Sequence, residues 1–286
     1  MRARSPQQPS SRWLLPREHG AYAEVLFPLL TVFCLGRSTL ASCGLGLAIL
    51  AGFIAHEPLQ ILLGARGGAL QRKLRGRARA QGALLLFLSV AGAALGLWRT
   101  DAPVLAAAAA LLPGLALMVG LTLARRAKTL LGEMLVALLL AFAAVPVALA
   151  AGLSTRVALC SALTWSSVFI VGTATVHALL ARKKHGVLAP GFAVIGLSLT
   201  LTGGALLSSA LGAGSWQLAA VPMQLVAVVA LLRGVHPRRL KALGWAMVLA
   251  HVGAALGLWL SLRAPEPGAK VSATPPANGA FHRTSA

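Results

Sequence analysis

The stretch LLGEMLVALLLAFAAVPVALAA, Leu130 to Ala151, decides the fold, because its 22 residues carry a single ionisable side chain, Glu133. A helix rises about 1.5 Å per residue and a bilayer core is about 30 Å thick, so an apolar run near 20 residues spans it. Working outward, comparable runs lie at about 21–36, 39–64, 80–98, 103–123, 157–180, 190–212, 216–232 and 242–262. Their lengths exclude barrel strands, which need about half as many residues. The expected fold is therefore all-α: a polytopic bundle of about nine transmembrane helices. With 57% hydrophobic and 11% charged residues in 286, the chain is no basic nucleic-acid binder, which would keep a polar surface around its core.

The charges say which way the bundle sits. There are 26 Lys and Arg against 6 Asp and Glu. Twenty of the bases fall before the first span or in alternate loops, at 66–79, 125–128, 182–184 and 233–241. Cytoplasmic loops retain Lys and Arg. The expectation is an N-terminus in the cytoplasm and a C-terminus outside, in the inner (plasma) membrane. Residues 1–19 read as a disordered basic arm, 20–262 as the transmembrane domain and 263–286 as a disordered tail rich in Pro, Ala, Ser and Thr. Cys34, Cys43 and Cys160 lie in apolar runs and read as small buried hydrophobes. GAALGLW occurs at Gly92 to Trp98 and again at Gly253 to Trp259, a small-residue spacing that suits close helix packing.

The scarce acids bear on function. Asp101 and Glu266 fall in a loop and in the tail, whereas Glu18, Glu24, Glu57 and Glu133 all fall toward the cytoplasmic side. Charged groups in hydrocarbon cost several kcal/mol unless they pair, meet water or face the bundle interior. His19, His56 and His177 keep them company. Pro58 cannot donate to the Ile54 carbonyl and disfavours helical geometry at Glu57, so the second helix is expected to break beside a polar cavity. Against this, glutamates near an interface also snorkel and pair with arginines. Glu18, the least embedded, fits that simpler account, and His251, mid-span, reads as structural. His19, Glu24, His56 and Glu57 offer metal-ligand chemistry, but their spacing matches no ligand motif, and no metal or cofactor is expected.

The segment PREHGAYAE, Pro16 to Glu24, with Phe27-Pro28 and later His56-Glu57-Pro58-Leu59, resembles the opening signature of the YwiC-like family of bacterial membrane proteins. That resemblance implies a multi-pass membrane protein and no particular activity. More distantly, helix number, sidedness and the stretch from Ala124-Arg125-Arg126-Ala127-Lys128 through Val145-Pro146 to Gly152 are similar to UbiA-type intramembrane prenyltransferases. Those enzymes hold a prenyl diphosphate through magnesium on two aspartate-rich motifs. The resemblance would place the first motif on His56, Glu57, Gln60 and Gly64, and the second near His177, Ala181 and Lys184. Of these only Glu57 is a carboxylate, so the magnesium machinery is missing.

Arg66, Arg125, Arg126, Arg182 and Lys183 belong to the same side, and guanidinium groups grip phosphate or carboxylate by forked hydrogen bonds. For most of these bases, topology and lipid head groups are sufficient explanation. The expected site is a cytoplasm-facing polar cavity formed by Glu24, His56, Glu57, Gln60, Glu133, His177 and Arg126, on the first, second, fifth and sixth spans or the turns beside them. Its expected partners are membrane lipids and an anionic or isoprenoid ligand. Three functions compete: a lipid-handling transferase, a small-solute or proton-coupled transporter using His56 and Glu57 as a gate, and a non-catalytic membrane partner protein.

Overall fold

The computed structural model describes residues 13–16, 19–98, 100–124, 126, 128–211, 215–234 and 240–263. Glu18, Arg125 and the tail beyond Arg263 lie outside the described residues. The helices are α1 (His19–Leu35), α2 (Leu40–Leu62), α3 (Gly68–Leu97), α4 (Ala102–Ala110), α5 (Leu112–Leu123), α6 (Leu130–Ala150), α7 (Thr155–His185), α8 (Ala189–Ala210), α9 (Val221–Arg233) and α10 (Leu240–Arg263). A 3-10 turn, Trp216–Ala220, leads into α9, and no strand occurs among the described residues. Among the described residues eight stretches are long and apolar enough to cross a membrane, and α1 is a shorter apolar helix. This is a polytopic helical membrane protein.

Two boundaries differ from the expectation for one reason: a basic segment can be helical outside hydrocarbon. α3 starts at Gly68 rather than near residue 80, so Arg72, Lys73, Arg75, Arg77 and Arg79 ride on a helix and not in a loop. α7 likewise continues to His185, where Gly186 adopts a left-handed φ of 68° and closes the helix after four basic residues that complement its C-terminal dipole. The fourth span is two helices, interrupted at Leu111. Pro113 has no N–H for the Ala109 carbonyl, and the Leu111 N–H turns to the Ala108 carbonyl at 3.2 Å.

The expected break at Pro58 does not occur. α2 runs unbroken from Leu40 to Leu62 with Pro58 inside it and buried. Close packing on α3 explains the difference: Gly82 faces the Pro58 ring, and a Cβ there would lie 3.8 Å from Pro58 Cβ. Tertiary contact thus outweighs the local penalty of about 3 kcal/mol for proline in a helix interior.

The same pair of helices shows what the glycine heptapeptides do. A Cβ on Gly92 would stand 2.7 Å from the Gly44 carbonyl oxygen, and one on Gly96 would stand 2.8 Å from the Leu45 nitrogen. Backbone therefore meets backbone along this seam. In the second copy a Cβ on Gly257 would meet Ala219 Cβ at 3.0 Å, and one on Gly253 would meet Pro222. Both copies are packing devices, as their spacing suggested.

α7 is the most enclosed span, with 56% of its apolar stretch buried. Trp165, Val168, Phe169 and Val171 pack there with Met223 of α9 and Leu258 of α10. Its buried hydroxyls are largely satisfied inside the helix: Thr164, Ser166 and Thr175 donate to the carbonyls four residues back at 3.0, 2.8 and 2.7 Å. That arrangement lets polar residues line a central helix in a medium without water. A second core joins Val25, Leu29 and Val32 of α1 to Leu45 of α2 and Val145 and Val147 of α6.

Part of the arm expected to lack structure is pinned. The Leu14 N–H donates to Gln81 Oε1 at 2.8 Å, and Gln81 Nε2 donates back to the Leu14 carbonyl at 3.1 Å. Leu14 is buried with Ile61, Leu74 and Ala78. The Tyr22 hydroxyl donates to the Pro16 carbonyl at 3.1 Å.

Candidate functional site

The C-terminal end of α2 builds the first part of the site. After Leu62 the chain reverses through Gly64 and Gly67, whose φ values of 72° and 98° only glycine adopts readily. The Ala65 N–H returns to the Gln60 carbonyl at 3.0 Å, and Gln71 Nε2 caps the Leu62 carbonyl at 2.6 Å. This tight turn folds Arg66 back over the helix it has just left. Arg66 Nη2 lies 2.5 Å from Glu57 Oε2, and the Glu57 side chain is 6% exposed. So enclosed a carboxyl group needs a partner, and the guanidinium supplies it. His56, on the neighbouring face, meets Gln60, with Nε2 of each 3.1 Å apart.

The second part comes from α6 and α7. Thr129 caps α6 by accepting the Gly132 N–H at 3.2 Å, which places Glu133 in the first helical turn, where the positive end of the dipole favours an acid. His177 Nε2 lies 2.7 Å from Glu133 Oε2. With Nε2 engaged by the carboxylate, Nδ1 is the nitrogen left to the surroundings.

These groups line one cavity of about 1340 Å³. Glu24, His56, Glu57, Gln60, Glu133 and His177 all contribute to its wall, together with Arg66, Lys128 and Lys241. The charged residues gather where α2 ends and where α6 and α10 begin. Deeper down the wall is apolar, formed by residues such as Ile49, Phe53, Leu115, Met118, Leu140 and Val168. His251 lies near the floor. Its Nδ1 hydrogen-bonds the Met247 carbonyl at 2.6 Å, and its ring stacks on Phe27 with centroids 5.3 Å apart. The structural role read for His251 is thus present, though the same side chain also lines the cavity.

Arg126 is the candidate that stands apart. It is exposed on the turn between α5 and α6 and is absent from the cavity wall, which Lys128 reaches instead. The turn explains the exchange: the Arg126 N–H closes on the Leu121 carbonyl at 2.8 Å, and its own carbonyl accepts the Thr129 hydroxyl at 2.8 Å. Composition alone treated Lys128 and Lys241 as topology signals, and nothing in their spacing singled them out. The cavity is also broader than the four spans expected, since α3 contributes Ser89, α5 Met118, α9 Met223 and α10 His251.

The residues at the two positions of the aspartate-rich motifs do not suit magnesium. Glu57 is committed to Arg66 and His177 to Glu133, and among the described residues no three His, Cys, Asp or Glu side chains gather to hold a metal ion.

Residues 15–148, just under half of the chain, match the family model described as YwiC-like protein. The matched region holds α1 to α5 and nearly all of α6, hence Glu24, His56, Glu57, Gln60 and Glu133, while His177 lies beyond it. No curated protein and no solved structure matches the chain.

Proposed function

We propose that this protein binds an amphiphile with an anionic head and a hydrocarbon tail, and that the charged end of its cavity faces the cytoplasm. One observation carries the proposal: a single cavity has Arg66, Lys128 and Lys241 at its polar end and apolar walls below. Its volume, about 1340 Å³, exceeds the range of about 300–1,000 Å³ usual for small-molecule pockets, which favours a lipid-sized occupant over a small solute. Two of the three acids in the wall, Glu57 and Glu133, have cationic or hydrogen-bonding partners within the protein, which lessens their repulsion of an anionic head. The transporter alternative keeps His56 and Glu57 in the cavity wall but loses the break beside them, since α2 is continuous through Pro58.

The test is chemical extraction. Protein purified in mild detergent is extracted with organic solvent, and the retained amphiphiles are identified by mass spectrometry. The wild type is expected to retain a discrete anionic species near one per chain. The double variant Glu57→Gln/Arg66→Gln, which removes the pair without leaving a lone buried charge, and Lys128→Gln should each deplete it several-fold. Recovery of bulk lipids alone, in membrane proportions and equally from wild type and variants, would sink the proposal.

A further inference from the structure

Outside this cavity an apolar groove of about 620 Å³ opens along α4, α6 and the start of α7, with Ala106, Ala110, Leu135, Phe142 and Leu159 in its wall. Leu111 and Leu139 line both the groove and the inner cavity. The two volumes therefore adjoin at these side chains, neither of which can make a hydrogen bond that opening would break. The backbone at this point is the interruption between α4 and α5. Three residues on, Gly114 comes so close to α6 that a Cβ there would collide with Leu139 Cδ2. The α4–α5 span is also the least enclosed of the eight, with 6% of its apolar stretch buried against 17% to 56% for the others.

We propose that this groove is a tail site: the distal part of the ligand's hydrocarbon chain passes between Leu111 and Leu139 and lies against α4 and α6. The proposal rests on the amphiphile-binding function above and deepens it by naming the ligand class, an amphiphile whose tail outruns the inner cavity. Leu111 lies twelve positions before Leu123 at the basic end, about 18 Å along the helix axis, so a head held at Lys128 brings a long chain to this constriction. Hydrocarbon is the occupant that the lining selects, because Thr155 alone among the groove residues has a polar side chain.

The experiment measures binding of alkyl phosphates of increasing chain length to delipidated protein by native mass spectrometry. Each methylene buried should strengthen binding about fourfold, and in the wild type this gain should continue for chains longer than the inner cavity. Ala106→Trp fills the groove from an exposed position that does not line the inner cavity. It should leave short chains unchanged and weaken the longest at least tenfold. Leu159→Trp fills the same groove from α7 and guards against a local folding defect in the first variant. If both variants follow the wild-type profile at every length, the groove holds surrounding membrane lipid only and the tail site is overturned. If the wild type binds no alkyl phosphate of any length, the anionic-amphiphile function falls and takes the tail site with it.

Discussion

Glu133 Oε2 lies 2.7 Å from His177 Nε2, joining the first turn of α6 to the far end of α7 across 44 residues of chain. The pair stands at the polar end of the cavity with side chains 36% and 31% exposed, so water shares in stabilising both partners. Partial exposure makes it a weak structural tie and an accessible chemical group. Glu133→Gln is expected to lower stability by no more than about 1 kcal/mol, read as a small fall in the thermal midpoint in detergent. A loss above about 3 kcal/mol would mark it instead as a buried structural bridge.

Glu57 and Arg66 should behave asymmetrically. Arg66→Ala strands a carboxylate in a nearly closed site and is expected to cost about 3 kcal/mol or more. Glu57→Gln leaves a guanidinium that is 27% exposed and reaches water, so it should cost less than half as much. The double variant Glu57→Gln/Arg66→Ala should recover most of the Arg66→Ala loss, and thermal midpoints of the three variants give the cycle. Equal losses for the two single variants would contradict this account of burial.

The α2–α3 seam predicts a sharp position dependence among glycines. Gly92→Ala puts a methyl 2.7 Å from a backbone oxygen, which cannot rotate away, and should cost at least about 2 kcal/mol. Gly203→Ala, with nothing within 4 Å of the new Cβ, should be neutral or gain up to about 1 kcal/mol from helix propensity. Thermal unfolding of the two variants side by side decides it.

Gln81 holds Leu14 by two hydrogen bonds to its backbone. Gln81→Leu removes both while leaving an apolar surface on α3, and is expected to speed proteolytic removal of the segment before α1 several-fold. Cleavage rates followed by mass spectrometry that match the wild type would show that burial of Leu14 alone holds the segment.

Sidedness can be read by labelling. Lys128 lines the cavity at the start of α6, and Arg156 lies just beyond its other end. In a background without Cys34, Cys43 and Cys160, a membrane-impermeant maleimide added to spheroplasts should label Arg156→Cys and spare Lys128→Cys until the membrane is opened. The reverse pattern would invert the bundle.

Span number and helical class were legible from residues alone because the cost of a polar group in hydrocarbon is local and accumulates over about 20 positions. The convergence of Glu24, His56, Glu57, Gln60, Glu133 and His177 was legible for the same reason, since each costly side chain needs a polar refuge and all were placed toward one end. Partners were not legible, because they depend on how far each helix is rotated and on turns that send a chain back on itself. His56 and Glu57 are neighbours in the chain yet meet different groups, Gln60 and Arg66. Pro58 signalled a break that packing against Gly82 prevents, and Arg126 stood out as a base while Lys128, two residues on, reaches the cavity. Hydropathy thus determined which segments are apolar enough to span and toward which end the costly side chains lie, whereas close packing between helices decided which of those side chains pair.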